Sequence, residues 1–493
     1  MNCFVGVDVG TTNVKALAMP ADLEQILAHA SAPLTTLHPE PGYAEQDPAE
    51  IWSAFIQVID EVVGELTNGG HTITHVAFCT AMHSLVPMDA DGNPLGNAIL
   101  WSDNRAEEQA NDLRTTQAAL GKAIYGETGT PLHPMIPLCK LAWLRKHDPR
   151  LLHRTARFGS IKEFLWYKLT GNFEIDYSIA TATGLFDESK RKWSEQAMTY
   201  AGVRPDQLST PVPTIHQRPY QPRPETADVK LPANVSLLIG ASDGCLANLG
   251  AGAIKRGTAT LTIGTSGAIR QTVRKPLRDA EVRLFCYYLD EGYYVVGGPT
   301  NNGGNVLEWV TEKLTQQETQ AALDEAATIP PGSDRLLFLP YLQGERAPLW
   351  DASVRGAYLH VDWQHTRGHF VRAALEGVLF NLLSINELLT KHTGPALVIY
   401  ANGGFAQSIL WVQMLADMAG APVRLNASNE SGSMGAILLT LKAVGEVKTL
   451  DEAAERVAFG DTFEPDLARH KTYRKAFRQW EEDSKKLFQK PGS

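Results

Sequence analysis

Val7-Asp8-Val9-Gly10-Thr11-Thr12 is the stretch on which the reading of this chain turns. An apolar, strand-like run at 3–7 enters it, and a second β-prone run at 14–19 leaves it. About half a chain later the pattern returns. The run 258–263 leads into Ile263-Gly264-Thr265-Ser266-Gly267, and 268–273 leads out. Glycine at the bend lets the backbone approach a bulky anion, and the hydroxyls and successive N–H groups can donate to phosphate oxygens. A hairpin turn needs the glycine but not this hydroxyl pair. One such loop is a weak signal. The same loop in two halves predicts a duplicated architecture that clamps a phosphate chain from both sides.

The rest of the chain is consistent with two large domains. Its 493 residues are too many for one core. A net charge of −10 argues against a duplex nucleic-acid surface, which needs a dense basic stripe. The five cysteines are scattered and form no C-x-x-C pair, so neither a disulfide framework nor a zinc site is indicated. Cys245 reads as a small packing residue at a helix start. The N-terminus enters a strand without a signal-peptide pattern, and no run reads as a membrane span, so the expected location is cytoplasmic.

Strand and helix patterns alternate throughout, which is an α/β signature. Asp47-Pro48 opens an amphipathic helix with Ile51, Phe55, Ile59, Val62 and Leu66 on its apolar side. A strand is expected at 75–79, helices at 137–146 and 161–169, a buried strand at 235–239 and a helix start at 243–250. A β-rich stretch covers 258–296. Helices follow at 303–314, 366–389, 405–418 and 431–444, with a strand at 397–401. The polar, Pro-rich stretch 218–232 reads as the linker, with domains at 1–246 and 247–493. The stretch from His470 reads as charged and ending in a frayed tail.

Several positions carry chemistry. Asp8 ends the first strand two residues before the loop, where a carboxylate can hold Mg²⁺ against phosphates or simply cap a turn. Asp243, in Ser242-Asp243-Gly244, stands at a helix start after a strand, as an N-cap or as a base taking the proton of an attacking hydroxyl. Met82-His83-Ser84 and Trp101-Ser102-Asp103-Asn104-Arg105 both lie just beyond strands, where α/β proteins place ligands. Trp101 can stack on a polyol's C–H face, and His83 and Asp103 can bond its hydroxyls. Asn402-Gly403-Gly404 and Gly303-Gly304 offer bare backbone to a flat base or ribose, or are merely tight turns.

Together these residues resemble the FGGY carbohydrate kinases, a branch of the actin-like ATPase superfamily, across nearly the whole chain. The run from Met135-Ile136-Pro137 through Lys140-Leu141-Ala142-Trp143 to His147 is similar to the family's first signature. Arg372-Ala373-Ala374-Leu375-Glu376-Gly377 and Gln413-Met414-Leu415-Ala416-Asp417 resemble its second-domain hallmarks. The resemblance implies two actin-like (ribonuclease H-like) domains with a cleft between them. It also implies ATP and Mg²⁺ as cofactors, Asp243 as catalytic base and Asp8 at the metal. Thr11, Thr12, Asn13, Lys15, Gly264, Thr265, Gly304, Gly403 and Gly404 are implied at the nucleotide, and Met82, His83, Trp101 and Asp103 at the acceptor.

Within the family, 129–135, 176–187 and 344–350 are similar to the gluconate kinases, and Ser84 stands where xylulose kinases typically have Gly. The expected reaction is phosphorylation of a sugar acid, D-gluconate to 6-phospho-D-gluconate. Xylulose or another polyol is the alternative, and an actin-like assembly or chaperone ATPase the remote one. Arg105, Lys162 and Arg346 are the candidate partners of the acid's carboxylate. The expected partner is a small-molecule sugar acid, with a homodimer allowed and neither nucleic acid nor membrane involved.

Overall fold

The first strand, Asn2–Val9, is buried on both faces along residues 3–7, as a central strand must be. It pairs antiparallel with Asn13–Pro20 and parallel with Thr72–Thr80. The computed structural model describes residues 1–427 and 430–488, and these form two units. The first unit holds Met1–Ile254, Val273–Val295 and Glu430–Val457. The second holds Lys255–Thr272 and the other described residues. By contacts the units therefore depart from the sequence division at 246 and 247: two later stretches return to the first unit.

The first unit's six-stranded sheet runs Gln217–Pro219, Ser236–Ser242, Thr72–Thr80, Asn2–Val9, Asn13–Pro20, Ala28–Pro33. Its three central strands are parallel and the flanking pairs antiparallel. In the second unit, Gly267–Val273, Thr258–Ile263, Val398–Asn402, Val423–Asn426 and Phe459–Phe463 are consecutive neighbours. There too an antiparallel hairpin leads into three parallel strands and an antiparallel edge. The duplication expected from the two Gly-Thr loops is thus a duplication of sheet topology.

The return of 430–457 has a steric cause. The helix Ser431–Ala443 lies backbone to backbone on the first unit. A Cβ on Gly6 would stand 2.2 Å from the Ser433 carbonyl oxygen, one on Gly250 2.0 Å from that of Ser431, and one on Gly435 2.0 Å from that of Leu246. Only glycine allows these approaches.

The helix Pro48–Asn68 forms as its pattern predicts, with the Asp47 carboxylate capping the Ala49 N–H. Two expectations change. The Pro-rich stretch 218–232 is part of the first unit rather than a linker: Gln217–Pro219 is an edge strand, and Tyr220, Val229 and Leu231 are buried in its core. Prolines are tolerated there because an edge strand needs fewer N–H donors. The stretch from His470 belongs to the helix Leu467–Phe488, whose Tyr473, Phe477 and Trp480 are buried. The expected frayed end, 489–493, lies outside the described residues.

One helix, Arg367–Thr393, is by length and composition apolar enough to cross a membrane, which the sequence reading missed. Most of its apolar window is buried, and it carries the buried ion pair of Arg372 with Glu376. That is the pattern of a core helix.

Candidate active site

Three parallel strands of the first unit end level with one another: Asp8 registers with Cys79, and Cys79 with Ala241. Ligand sites of α/β sheets gather at such carboxyl ends. Asp8 is the last polar residue of its strand, and its Oδ1 is shut from solvent with no hydrogen-bond partner among the described residues. Its carboxyl is pushed up to about 7, mainly by burial and with Asp243 and Glu430 adding to the rise, while the Cys79 thiol and Lys15 oppose it. Cys79 itself stays a thiol, since burial drives its pKa well above the ordinary range. Gly432 of the Ser431–Ala443 helix lies against this carboxylate. A Cβ there would be 2.3 Å from Asp8 Oδ2.

The loop after the first strand is closed by the Gly10 N–H donating to the Asn13 carbonyl. The Gln46 amide donates to the Thr11 carbonyl at 2.7 Å, and Thr12 is exposed at the tip. Lys15, expected at the nucleotide, pairs with Glu430 at 2.9 Å. Both are only partly buried.

Asp243 is the first residue of the helix Asp243–Gly250 and Ser242 its N-cap. The Asp243 carboxylate accepts from the Gly244 N–H at 2.7 Å, so it serves the helix start even though the N-cap position belongs to its neighbour. Ser242 itself makes no side-chain cap, its hydroxyl meeting that of Ser178 at 2.9 Å. The backbone before Asp243 is held from inside. Lys162, buried, donates to the Ala241 carbonyl and to Asp176, both at 2.8 Å. Asp176 in turn caps the helix Tyr177–Ala182.

His83 sits in the left-handed region, φ 69°, uncommon for a residue with a side chain. Its Nδ1 lies 2.8 Å from the Ala182 carbonyl, which makes that nitrogen the donor. Its ring meets Tyr287 edge-on at 5.9 Å. Met82 is partly buried beside it, and Trp101 is partly exposed in the turn after the strand Ala98–Ile99. Asp103, assigned by sequence to the acceptor, faces inward. Its carboxylate accepts from the Ala44 N–H at 2.8 Å and from the Arg105 guanidinium at 2.9 and 2.8 Å. It is fully buried and works inside the protein. Ser84 is likewise turned inward, its hydroxyl accepting from the Ile161 N–H at 3.0 Å. It therefore holds a helix start, and its value as a mark of acceptor preference is indirect.

The cations considered for a substrate carboxylate are committed elsewhere. Arg105 pairs with Glu45 as well as Asp103 and lies over the Tyr43 ring at 3.9 Å. Lys162 is answered by Asp176, and Arg346 donates to the Thr300 carbonyl at 2.7 Å.

In the second unit the expected nucleotide residues come together at the ends of the parallel strands Thr258–Ile263 and Val398–Asn402. The Gly304 N–H donates to the Gly264 carbonyl at 2.7 Å and the Gly303 N–H to that of Thr265 at 3.2 Å. Cβ atoms on Gly303 and Gly304 would stand 2.6 and 2.8 Å from loop carbonyl oxygens, so both positions need glycine for the loops to touch. Gly403 has φ 96° and would bring a Cβ within 2.4 Å of the Ile263 carbonyl oxygen, whereas Gly404 faces open space. The Asn402 side chain is tied to Thr262 at 2.6 Å. Gly264 and Thr265 are left exposed.

Residues 3–250 match the FGGY family of carbohydrate kinases, N-terminal domain, and 259–444 its C-terminal domain. The chain belongs to the FGGY family of carbohydrate kinases. A gluconokinase of Bacillus licheniformis is 38% identical over 96% of this chain and 93% of its own length. Two solved structures from Lactobacillus acidophilus superpose with a TM-score of 0.93 each. The gluconate kinase is 32% identical and covers 99% of this chain and 98% of its own, and the ligand-bound xylulose kinase is 31% identical and covers 100% and 99%.

The second-domain hallmarks of this carbohydrate kinase prove to carry its fold. Arg372 and Glu376 pair at 3.0 Å in the core, where Glu376 also accepts from the Gly332 N–H and the Ser333 hydroxyl. Asp417 accepts from Gln413 and from the Asp466 N–H. Glu345 accepts from Thr300, Asn302 and Asn381 side chains and from the Asn301 and Arg346 N–H groups, just before the Gly303-Gly304 turn. Sequence reasoning missed Tyr287, Gly432, Glu430 and Lys140 at the kinase's site. The first three come from the returning stretches or their edge, and nothing in their local pattern points to Asp8 or His83. Lys140 was visible only as one letter of the first signature.

Proposed function

We propose that this carbohydrate kinase transfers the γ-phosphoryl group of ATP to the far primary hydroxyl of D-gluconate, giving 6-phospho-D-gluconate. The observation that carries the reading is the 38% identity to a gluconokinase across 96% of the chain. The acceptor lies at Met82, His83 and Trp101, with Asp103 buried two residues beyond Trp101 and held by Arg105 and the Ala44 N–H. Asp243 takes the proton of the attacking hydroxyl. Its place just beyond a central strand and its electrostatic nearness to Asp8 support this. The residues proposed for the nucleotide are Thr11, Thr12 and Asn13 of the first unit and Gly264, Thr265, Gly304, Gly403 and Gly404 of the second. Lys15, paired with Glu430, steadies the first loop.

The residues present fit a divalent cation at Asp8. A buried carboxylate oxygen without a donor, in a carboxyl pushed up to about 7 by burial, is stabilised by a positive charge. Mg²⁺ held there with ATP would supply neutralisation of phosphate charge. Phosphoryl transfer passes through a loose transition state, so the chain contributes mainly by positioning. Lys162 and Ser178 fix the backbone at Ala241 and Ser242, which orients Asp243.

The equal structural likeness to a xylulose kinase supports a second reading, a polyol kinase of different acceptor preference. ADP release measured over gluconate, xylulose, xylitol and glycerol decides between them. Gluconate should give the highest kcat/KM. A lead of about tenfold or more for xylulose would reject the acid but keep the kinase.

A further inference from the structure

We propose that Lys140 is a positioning residue for the acceptor: from inside the fold its ammonium ties the His83 turn to the Leu100 turn and so sets the spacing of His83 and Trp101. This rests on the acceptor site proposed above. Lys140 lies in the helix Pro137–His147, whose residues 137–142 are all buried, and is itself 0% exposed. A lysine in such a place ordinarily snorkels to water, and an apolar side chain would pack there without the cost of burying charge. Lys140 instead donates to the carbonyls of His83 and Leu100, each at 2.6 Å, with a longer contact to that of Ile99 at 3.4 Å. Three donors meet three acceptors, none of them a carboxylate.

The two closer acceptors, the His83 and Leu100 carbonyls, lie just beyond two different strands, the Ile99 carbonyl ending the second of these, and each turn carries a candidate acceptor residue. The His83 end is where a tie matters most. A non-glycine residue at φ 69° persists only when its surroundings over-determine it. The carbonyl whose direction that conformation sets is the one Lys140 holds. The other end leads into Trp101 and Asp103, and Asp103 is closed off by Arg105 and Ala44. Leu85 and Ile99 already exchange two backbone hydrogen bonds at 2.9 Å, and the Leu100 carbonyl also accepts from the Asp103 N–H at 3.2 Å. An apolar residue at 140 would leave that bridge in place but remove the tie beyond it, between the His83 and Leu100 carbonyls, where the candidate acceptor residues lie.

The test is steady-state kinetics of Lys140→Met and Lys140→Gln with gluconate, or whichever acceptor the parent turns over fastest, and ATP varied separately, beside His83→Ala. Lys140→Met should raise the acceptor KM about tenfold or more while the ATP KM and the rate at saturating acceptor stay within about threefold. Lys140→Gln should fall between it and the parent. An acceptor KM within about twofold of the parent in both variants overturns the proposal, as does a loss of kcat with both KM values unchanged. If His83→Ala leaves the acceptor KM unmoved, the acceptor site is what fails. If it raises KM and the Lys140 variants do not, only the role of Lys140 fails.

Should neither variant fold, the unaltered protein supplies the test. Burial lowers Lys140 to about 7, with Asp103 opposing the shift, Arg105 adding to it and the Cys139 thiol beside it on the same helix. The discharged amine has two donors for three carbonyls. The KM for gluconate, whose own carboxylate stays ionised, must then climb between about pH 6 and 9 while the ATP KM does not follow. A flat acceptor KM overturns the proposal.

Discussion

Replacing Gly432 by alanine tests whether Asp8 must stand where it does. The added Cβ would lie 2.3 Å from Asp8 Oδ2, 2.8 Å from its Cγ and 3.1 Å from the Cys79 sulfur. Ordinary contact begins at 3.4 Å, so the carboxylate must retreat about 1.1 Å or the helix must lift by as much. Neither yields easily. Asp8 is registered against Lys15 on one side and Cys79 on the other. The helix is already in backbone contact at Gly6, Gly250 and Gly435. Overpacking of this kind costs about 1–3 kcal/mol of stability. A misplacement near 1 Å at a reacting centre costs on the order of 10²-fold in rate, about 2.7 kcal/mol in barrier. The assay is ADP release at saturating ATP, Mg²⁺ and gluconate, with the folded fraction checked by circular dichroism. Gly64→Ala is the control: it lies in the helix Pro48–Asn68 and its Cβ would meet nothing within 4 Å. It should leave kcat alone and add about 0.5–1 kcal/mol of stability. A folded Gly432→Ala protein turning over within about twofold of the parent would refute the reasoning, because the displacement would then have no catalytic consequence.

Three further outcomes are expected. Asp243→Asn keeps size and removes proton acceptance, so kcat should fall by roughly 10²–10⁴-fold with little change in either KM; near-normal turnover would return Asp243 to a structural role. Gly403→Ala must place a side chain at φ 96° and against the Ile263 carbonyl, so thermal stability should drop and the ATP KM rise while acceptor binding measured calorimetrically without nucleotide stays put. Burial raises the Glu163 carboxyl from 4.5 to about 7, so between those values the folded protein holds a proton that the unfolded chain has released. Its contribution to stability is present below about pH 4.5 and is lost as pH rises through 7, so Glu163→Gln should flatten the fall in melting temperature between about pH 5 and 8; an unchanged slope in the variant would count against it.

Much of this kinase was legible in its sequence because the signals are local. A strand buried on both faces is a run of apolar residues, and a Gly-Thr loop after it names the strand end where a ligand sits. Two such loops therefore announced the doubled sheet topology, and the helix Asp243–Gly250 began where Ser242-Asp243-Gly244 said it would. Partner choice is a different matter. Asp103 and Ser84 read as polar residues beyond strands, equally able to face a sugar or the interior; the nearness of Arg105, Ala44 and the Ile161 N–H, a packing outcome, turned both inward. That residues 273–295 and 430–457 rejoin the first unit depends on glycines at 6, 250 and 435 meeting backbone far away in the chain, a fit no periodicity records. The same holds for Lys140. Its sequence position says helix, and only the convergence of three carbonyls from two distant segments says why a charge is buried there. Local pattern chose the elements and the strand ends that bear the chemistry; tertiary packing chose which polar groups remain for substrate, because a buried donor or acceptor must first be satisfied by whatever the fold brings beside it.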